Sequence, residues 1–389
     1  MTRCVHGLLG PRFPLELLVY VDDLMFIAGN KQERKAVVLA LFIFRMLGVP
    51  FKVPKFRGGF KVDWIGLHIC FKSYSVGLSP DRAAWMVQWI QKILAQGWIE
   101  AREMAMGLGR LNFAMSALIF EKPFLGILYM WTSTILRSDK RVATLPWAVR
   151  LILQWICERF TTSNAMQRVL PVANATEDWF RSDAKAEDGR ATIGGWECSG
   201  STPPGRARWF FVEVEPSWAP WAFAKHNDPK RVIATLVLLG TLLCLMLFRD
   251  RITQGSTGSI CIAGGTDNAG NTFAMNKLMS TKWPLTVLLM ELAEFLRQSS
   301  IQLHLRWVPR DSNVEADDLT NEKFSSFNED LRIHVDGASL PWLVLPRIMT
   351  QSQRLFEEVL EQRSKNKLLP SSFGSHGHSA KSKKRKNPW

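Results

Sequence analysis

The chain opens with two short apolar runs, Leu15–Val19 and Leu24–Ile27, parted by Tyr20-Val21-Asp22-Asp23, a pattern that predicts a two-stranded hairpin. A helix is predicted from about Lys31, closed by Leu47-Gly48-Val49-Pro50, and Val62–Ile69 reads as strand, turn, strand. Ser79-Pro80-Asp81 is a helix start with proline near the first turn. Its apolar stripe is Ala84, Met86, Val87, Trp89, Ile90, Ile93 and Leu94, and Gly97 stops it. Helical stretches at about 101–120, 123–136 and 146–160 follow, so four helices succeed one another without strands. From Glu177 the period changes. Strands at 179–184, 191–198 and 206–214 precede a long helix at about 229–248. Then come a strand at 259–263, helices at about 272–280 and 284–298, a strand at 301–308 and a helix from Ser312 to Leu319. The fold class predicted is α/β: a small α+β portion, a helical stretch, then a mixed five-stranded sheet with flanking helices.

Composition narrows this picture. With 389 residues, 47% of them apolar, the chain can bury more than one core, and 16 Trp with 23 Phe argue against disorder for most of it. The six cysteines (4, 70, 157, 198, 244, 261) include no C-x-x-C pair, which suits a reducing compartment, nucleus or cytoplasm, and offers neither zinc site nor disulfide framework. No secretory signal is visible. The longest apolar run, Leu236 to Phe248, is thirteen residues with Gly240 inside; it is too short to span a bilayer and reads as a buried helix, so no membrane partner is expected.

The net charge of +14 is unevenly placed: Arg363 to Trp389 carries eight Lys or Arg and no acid, leaving about +6 elsewhere. This tail lacks an apolar period after Leu369 and is expected to be disordered. Lys383-Lys384-Arg385-Lys386 reads as a signal for a nuclear-import receptor or a sequence-blind phosphate contact; a solvated tail of no specific use fits equally.

Asp22 and Asp23 are the first candidate chemistry. Two adjacent carboxylates between greasy strands repel each other unless a divalent cation lies between them, and oxygen donors of this kind suit Mg²⁺. The flanking runs predict that a buried sheet presents the pair. Together with the helix, Lys55, Gly58-Gly59 and the 62–69 hairpin that follow, Tyr20-Val21-Asp22-Asp23 resembles the second half of a retroelement reverse-transcriptase palm. The resemblance implies that Asp22 and Asp23 bind polymerase metal, Mg²⁺ or Mn²⁺. It also implies that Tyr20, Lys55 and Trp64 approach primer, template or nucleotide. Lys55 reads equally as a surface lysine and Trp64 as a core aromatic. Such a palm needs a further aspartate upstream and a fingers region. Nineteen residues precede Tyr20, with Glu16 their one acid, so the chain alone is expected not to polymerise. Gly107–Ala114 resembles a helix of the thumb and connection in such proteins.

The order βββ-α-β-α-α-β-α after Glu177 resembles the ribonuclease H fold, whose members cut the RNA strand of an RNA–DNA hybrid with two divalent ions held by four carboxylates. By that resemblance Asp183 in the first strand, Asp267 after the fourth and Asp317 in Asn313-Val314-Glu315-Ala316-Asp317-Asp318-Leu319-Thr320 are metal ligands, with Asp318 a solvent-facing neighbour. The remaining ligand, a glutamate in the long helix, falls at Val237, and no acid lies between Arg231 and Arg249. Nuclease activity is therefore expected to be absent or severely reduced. The whole resembles the C-terminal part of a retrotransposon reverse transcriptase: partial palm (1–78), helical thumb and connection (79–170), ribonuclease H-like domain (171–322), C-terminal extension (323–362) and basic tail (363–389). The inherited partner is an RNA–DNA hybrid or other nucleic acid. A non-catalytic nucleic-acid-binding remnant is the alternative, and the oligomeric state is left open.

Overall fold

A computed structural model describes residues 16–138, 141–162, 165–169, 177–253 and 259–367. Strands β1 (Glu16–Tyr20) and β2 (Asp23–Ile27) form an antiparallel hairpin with Tyr20 opposite Asp23. Helix α1 (Lys31–Met46) begins at Asn30, whose side-chain oxygen accepts the N–H groups of Gln32 and Glu33. It lays Ala36, Ala40 and Phe44 on Leu24 and Phe26, a small cluster separate from the main core. The hairpin is not buried as its apolar runs predict: Leu18, Val19, Tyr20 and Val21 are all exposed. Two strands with a helix on one face leave the other face to solvent.

Strands β3 (Lys61–Trp64) and β4 (Leu67–Cys70) turn through Ile65-Gly66, as expected, and β5 (Ser75–Leu78) joins β4. The four helices follow: α2 (Pro80–Gln96), α3 (Ala101–Ala114), α4 (Leu125–Ile135) and α5 (Trp147–Thr162). Helix α3 ends earlier than its pattern predicts, and residues 119–124 form a 3-10 turn instead. The stretch is not free of strands. Trp98–Glu100 (β6) pairs with Val142–Thr144 (β7), and Met166–Arg168 (β8) extends the β3–β5 sheet. Segments of three residues are too short for periodicity to reveal.

Strand β9 (Asp178–Glu187) returns through Asp188-Gly189 as β10 (Arg190–Glu197), followed by β11 (Trp209–Glu213). Next come α6 (Ile233–Leu247), the short α7 (Arg249–Thr253), β12 (Ile260–Thr266), α8 (Ala269–Lys277), α9 (Leu285–Ser299), β13 (Ile301–Trp307) and α10 (Val314–Thr320). The sheet runs β11-β10-β9-β12-β13, with β12 parallel to β9 and β13 and the remaining pairs antiparallel. This is the mixed five-stranded sheet of the α/β fold class that the sequence predicts.

Helix α6, with its 3-10 lead-in, spans Pro229–Leu247, long and apolar enough by composition to cross a membrane, although 67% of its most apolar 18-residue stretch is buried inside the protein. It is longer than the thirteen-residue run implies, and it packs on β9 and β10. Two adjacent glycines let helices approach both faces of that sheet. A Cβ on Gly195 would meet Cys244 Sγ of α6 at 2.6 Å, and one on Gly194 would meet Leu319 Cβ of α10 at 2.5 Å. Gly194→Ala is expected to lift α10 from the sheet and cost about 1–3 kcal/mol. Urea denaturation checks this; a variant as stable as the parent would mean that α10 yields freely.

Helix α11 (Leu345–Lys367) is not foreseen in the sequence reading. Residues 363–367 of the expected tail belong to it, and Arg363 donates to Met130 O (3.3 Å) and Ser133 Oγ (3.0 Å) of α4. Lys383, Lys384, Arg385 and Lys386 lie outside the described residues. One hydrophobic core runs from Leu78 to Val359, so helices α2–α5, the five-stranded sheet and α11 share it.

Candidate active site

The carboxylates gather where two strands part. Parallel pairing between β9 and β12 ends at Arg181 opposite Gly265. Asp183 and Asp267 each lie two residues beyond that last pair, on the two sides of the gap. Asp183 shares its face of the sheet with its cross-strand partner Gly194, the face that α10 covers. Three contacts fix α10 there: Asn313 Nδ2 donates to Ser182 O (3.4 Å), Thr192 Oγ1 to Thr320 O (3.0 Å) and Lys185 Nζ to Asn321 Oδ1 (3.1 Å). Asp317 is carried on the helix so held.

Asp183 is 7% exposed, and its Oδ1 accepts the Ala184 N–H at 2.8 Å. Burial, then the negative charges of Asp267 and Asp317, push its carboxyl up to about 7, against the pull of the Ala184 N–H and Arg310. Asp183 is therefore within electrostatic reach of both Asp267 and Asp317. Asp317 is held on both oxygens: Arg310 Nη2 donates to Oδ1 at 3.1 Å and Asn321 Nδ2 to Oδ2 at 3.0 Å. Asp267 is fixed through its backbone carbonyl, which accepts Trp307 Nε1 at 3.0 Å. Asp318 is half-buried and pairs with Lys323 at 3.5 Å instead of facing solvent alone.

Val237 is 3% exposed in α6. Cys244 Sγ of the same helix reaches Arg181 O at 3.8 Å, and Gly240 lies over Ser182, so one turn earlier Val237 lies level with the parting strands. The residues do not fit a pair of divalent ions. A valine stands where the resemblance requires a glutamate, Arg310 bonds one of the three carboxylates, and no group of three acids, histidines or cysteines among the described residues is placed to hold a metal. Arg310 is the residue sequence reasoning missed. Its signal was a cation seven positions before Asp317 in an otherwise acidic segment.

The first candidate site stands apart. Asp22 and Asp23 are exposed at the hairpin tip, and Val21 between Tyr20 and Asp22 has φ 54°, a left-handed conformation that a β-branched residue rarely adopts. Tyr20 and Lys55 are exposed. Trp64 is half-buried at the end of β3, its indole N–H buried without a partner. Nothing among the described contacts joins these residues to Asp183, Asp267 or Asp317. A cleft of about 300 Å³ lies along β11, on the sheet edge remote from the aspartates, and includes none of them.

No family model matches the chain, and no curated protein matches it. Among solved structures it is similar to a foamy viral protease-reverse transcriptase in complex with an RNA/DNA hybrid, at 16% identity and a TM-score of 0.33, over 79% of this chain and 38% of that one. A foamy viral protease-reverse transcriptase in complex with dsDNA is similar at 15% identity and a TM-score of 0.32, over 78% of this chain and 57% of that one. The chain thus spans less than two thirds of the length of either.

Proposed function

We propose that this chain is a retrotransposon-derived reverse transcriptase and ribonuclease H relative that holds RNA–DNA hybrid or other nucleic acid without cutting it. The observation that carries the reading is the meeting of Asp183, Asp267 and Asp317 at the gap between β9 and β12 beside an α6 that offers no acid. In this reading those three are the remnant of a Mg²⁺- or Mn²⁺-binding set that lacks a glutamate at Val237, and Asp22 and Asp23 belong to a second, polymerase-type set. Tyr20, Lys55 and Trp64 are assigned to the nucleic-acid face. Lys383–Lys386 are assigned to phosphates or an import receptor, in an intracellular, reducing compartment.

The test is an end-labelled RNA–DNA hybrid incubated with the purified chain, with Mg²⁺ and then Mn²⁺, beside Asp183→Asn. Both proteins are expected to shift the hybrid equally and to leave it uncut. Affinity should fall at least about tenfold between 50 and 200 mM salt, as for any binder of phosphates. Cleavage by the parent that Asp183→Asn abolishes would show that three carboxylates suffice. Absence of any shift at low salt would remove the nucleic-acid reading altogether.

A further inference from the structure

Three carboxylates that repel one another at one gap need a positive charge nearby, and the fold supplies one of its own. Arg310 opens the 3-10 turn Arg310–Ser312, between β13 and α10. That turn is tied to both strands that bear the aspartates. Val308 N–H donates to Thr266 O at 2.9 Å, next to Asp267, and Arg181 Nη1 donates to Ser312 O, two residues before Asp183. Within the turn, Ser312 N–H donates to Pro309 O (2.8 Å) and Asn313 N–H to Arg310 O (2.9 Å), so the backbone under Arg310 is closed. From there its guanidinium bonds Asp317 Oδ1 at 3.1 Å and is within electrostatic reach of Asp183 and Asp267. The side chain is 77% exposed, so it closes the cluster from the solvent side.

We infer that Arg310 is the resident countercharge of this centre: the guanidinium does the neutralising that a divalent ion does elsewhere, and an ion can bind these aspartates only by displacing it. The inference rests on the reading of the cluster as the remnant of a metal centre. A guanidinium cannot lose its charge at any ordinary pH and offers no open coordination position, so the arrangement keeps the aspartates together while removing their chemistry. Arg310 acts here as a positioning residue.

Mn²⁺ binding to the full chain, followed by the electron paramagnetic resonance of free Mn²⁺, tests this. Arg310→Gln is expected to bind one Mn²⁺ about tenfold or more tightly than the parent, and to gain a Mg²⁺-dependent rise in Tm that the parent lacks. Arg310→Lys, which keeps the charge, should behave as the parent, and Arg310→Gln with Asp183→Asn should lose the gain. Parent Mn²⁺ binding as tight as that of Arg310→Gln overturns the inference, and so does an Arg310→Gln variant that folds by circular dichroism yet gains no affinity. Gel shifts of the same proteins on RNA–DNA hybrid are read separately. A parent that fails to bind hybrid sinks the functional proposal while leaving the Mn²⁺ comparison intact.

Discussion

Asp183→Asn is expected to stabilise the folded chain above pH 7, by about 4 kcal/mol at most, and to remove most of the fall in stability between pH 4 and 7. The difference between the ordinary 3.8 of an aspartate and the value of about 7 that Asp183 reaches corresponds to about 4 kcal/mol of preference for the neutral form. The sign follows from proton counts. Between those two values the folded chain holds a proton on Asp183 that the unfolded chain has lost, so stability declines as pH rises through the window and is flat above it. Asparagine carries no charge at any pH and escapes the decline, so parent and variant converge near pH 4. Denaturant titrations at pH 4, 6 and 8 measure this. An advantage that does not grow with pH would mean that the Asp183 carboxylate is not penalised by burial or by its acidic neighbours.

Glu291→Ala is expected to cost about 3–5 kcal/mol and to release α11. Glu291 lies inside α9, wholly buried, and its two oxygens accept the N–H groups of Leu343, Val344 and Leu345, each at 2.7 Å. Those are groups at the start of α11 that the helix itself cannot satisfy, and a carboxylate there also meets the positive end of the helix dipole. Alanine leaves all three donors without acceptors, at about 1–3 kcal/mol for each that stays buried. Val344 and the buried residues of α11, Ile348, Leu355 and Val359, then lose their register on the core. Hydrogen exchange should show early loss of protection across residues 345–362, with a lowered Tm. Glu357→Ala, which removes only an exposed contact to Gln353, is the control and should change little. Unaltered protection in Glu291→Ala would mean that side-chain packing alone seats the helix.

The elements that were legible in the sequence carry their own signals. The β9–β10 hairpin announces itself by its Asp-Gly turn, and α2 by Pro80 and Gly97 at its ends. Asp183 stood out because a charge inside an apolar strand has few other uses, whereas Asp267 and Asp317 were picked out only by their resemblance to the ribonuclease H pattern. Less could be read where structure depends on distant partners. Pairings of β6 with β7 and of β5 with β8 join three- or four-residue segments that have no periodicity of their own. Helix α11 does carry an apolar stripe, but long polar stretches separate its members and its start depends on Glu291, over fifty residues away. Apolar content misled at the first hairpin. Strands as greasy as β1 imply cover, and the described residues supply it on one face alone. Arg310 eluded the reading because only the folded turn brings it to Asp317.

The core that helices α2–α5, the five-stranded sheet and α11 share has a consequence for how the chain comes to be made. Helices α4 and α5 leave the ribosome long before α11, yet α11 packs against both and Arg363 ties it to α4. A nascent chain halted before residue 345 therefore carries an uncovered apolar face on its early helices, open to chaperones or to its neighbours on the same messenger. Final closure of the helical half must wait for its distant partner, so folding here is completed after synthesis of that partner and cannot proceed strictly from the N-terminal end.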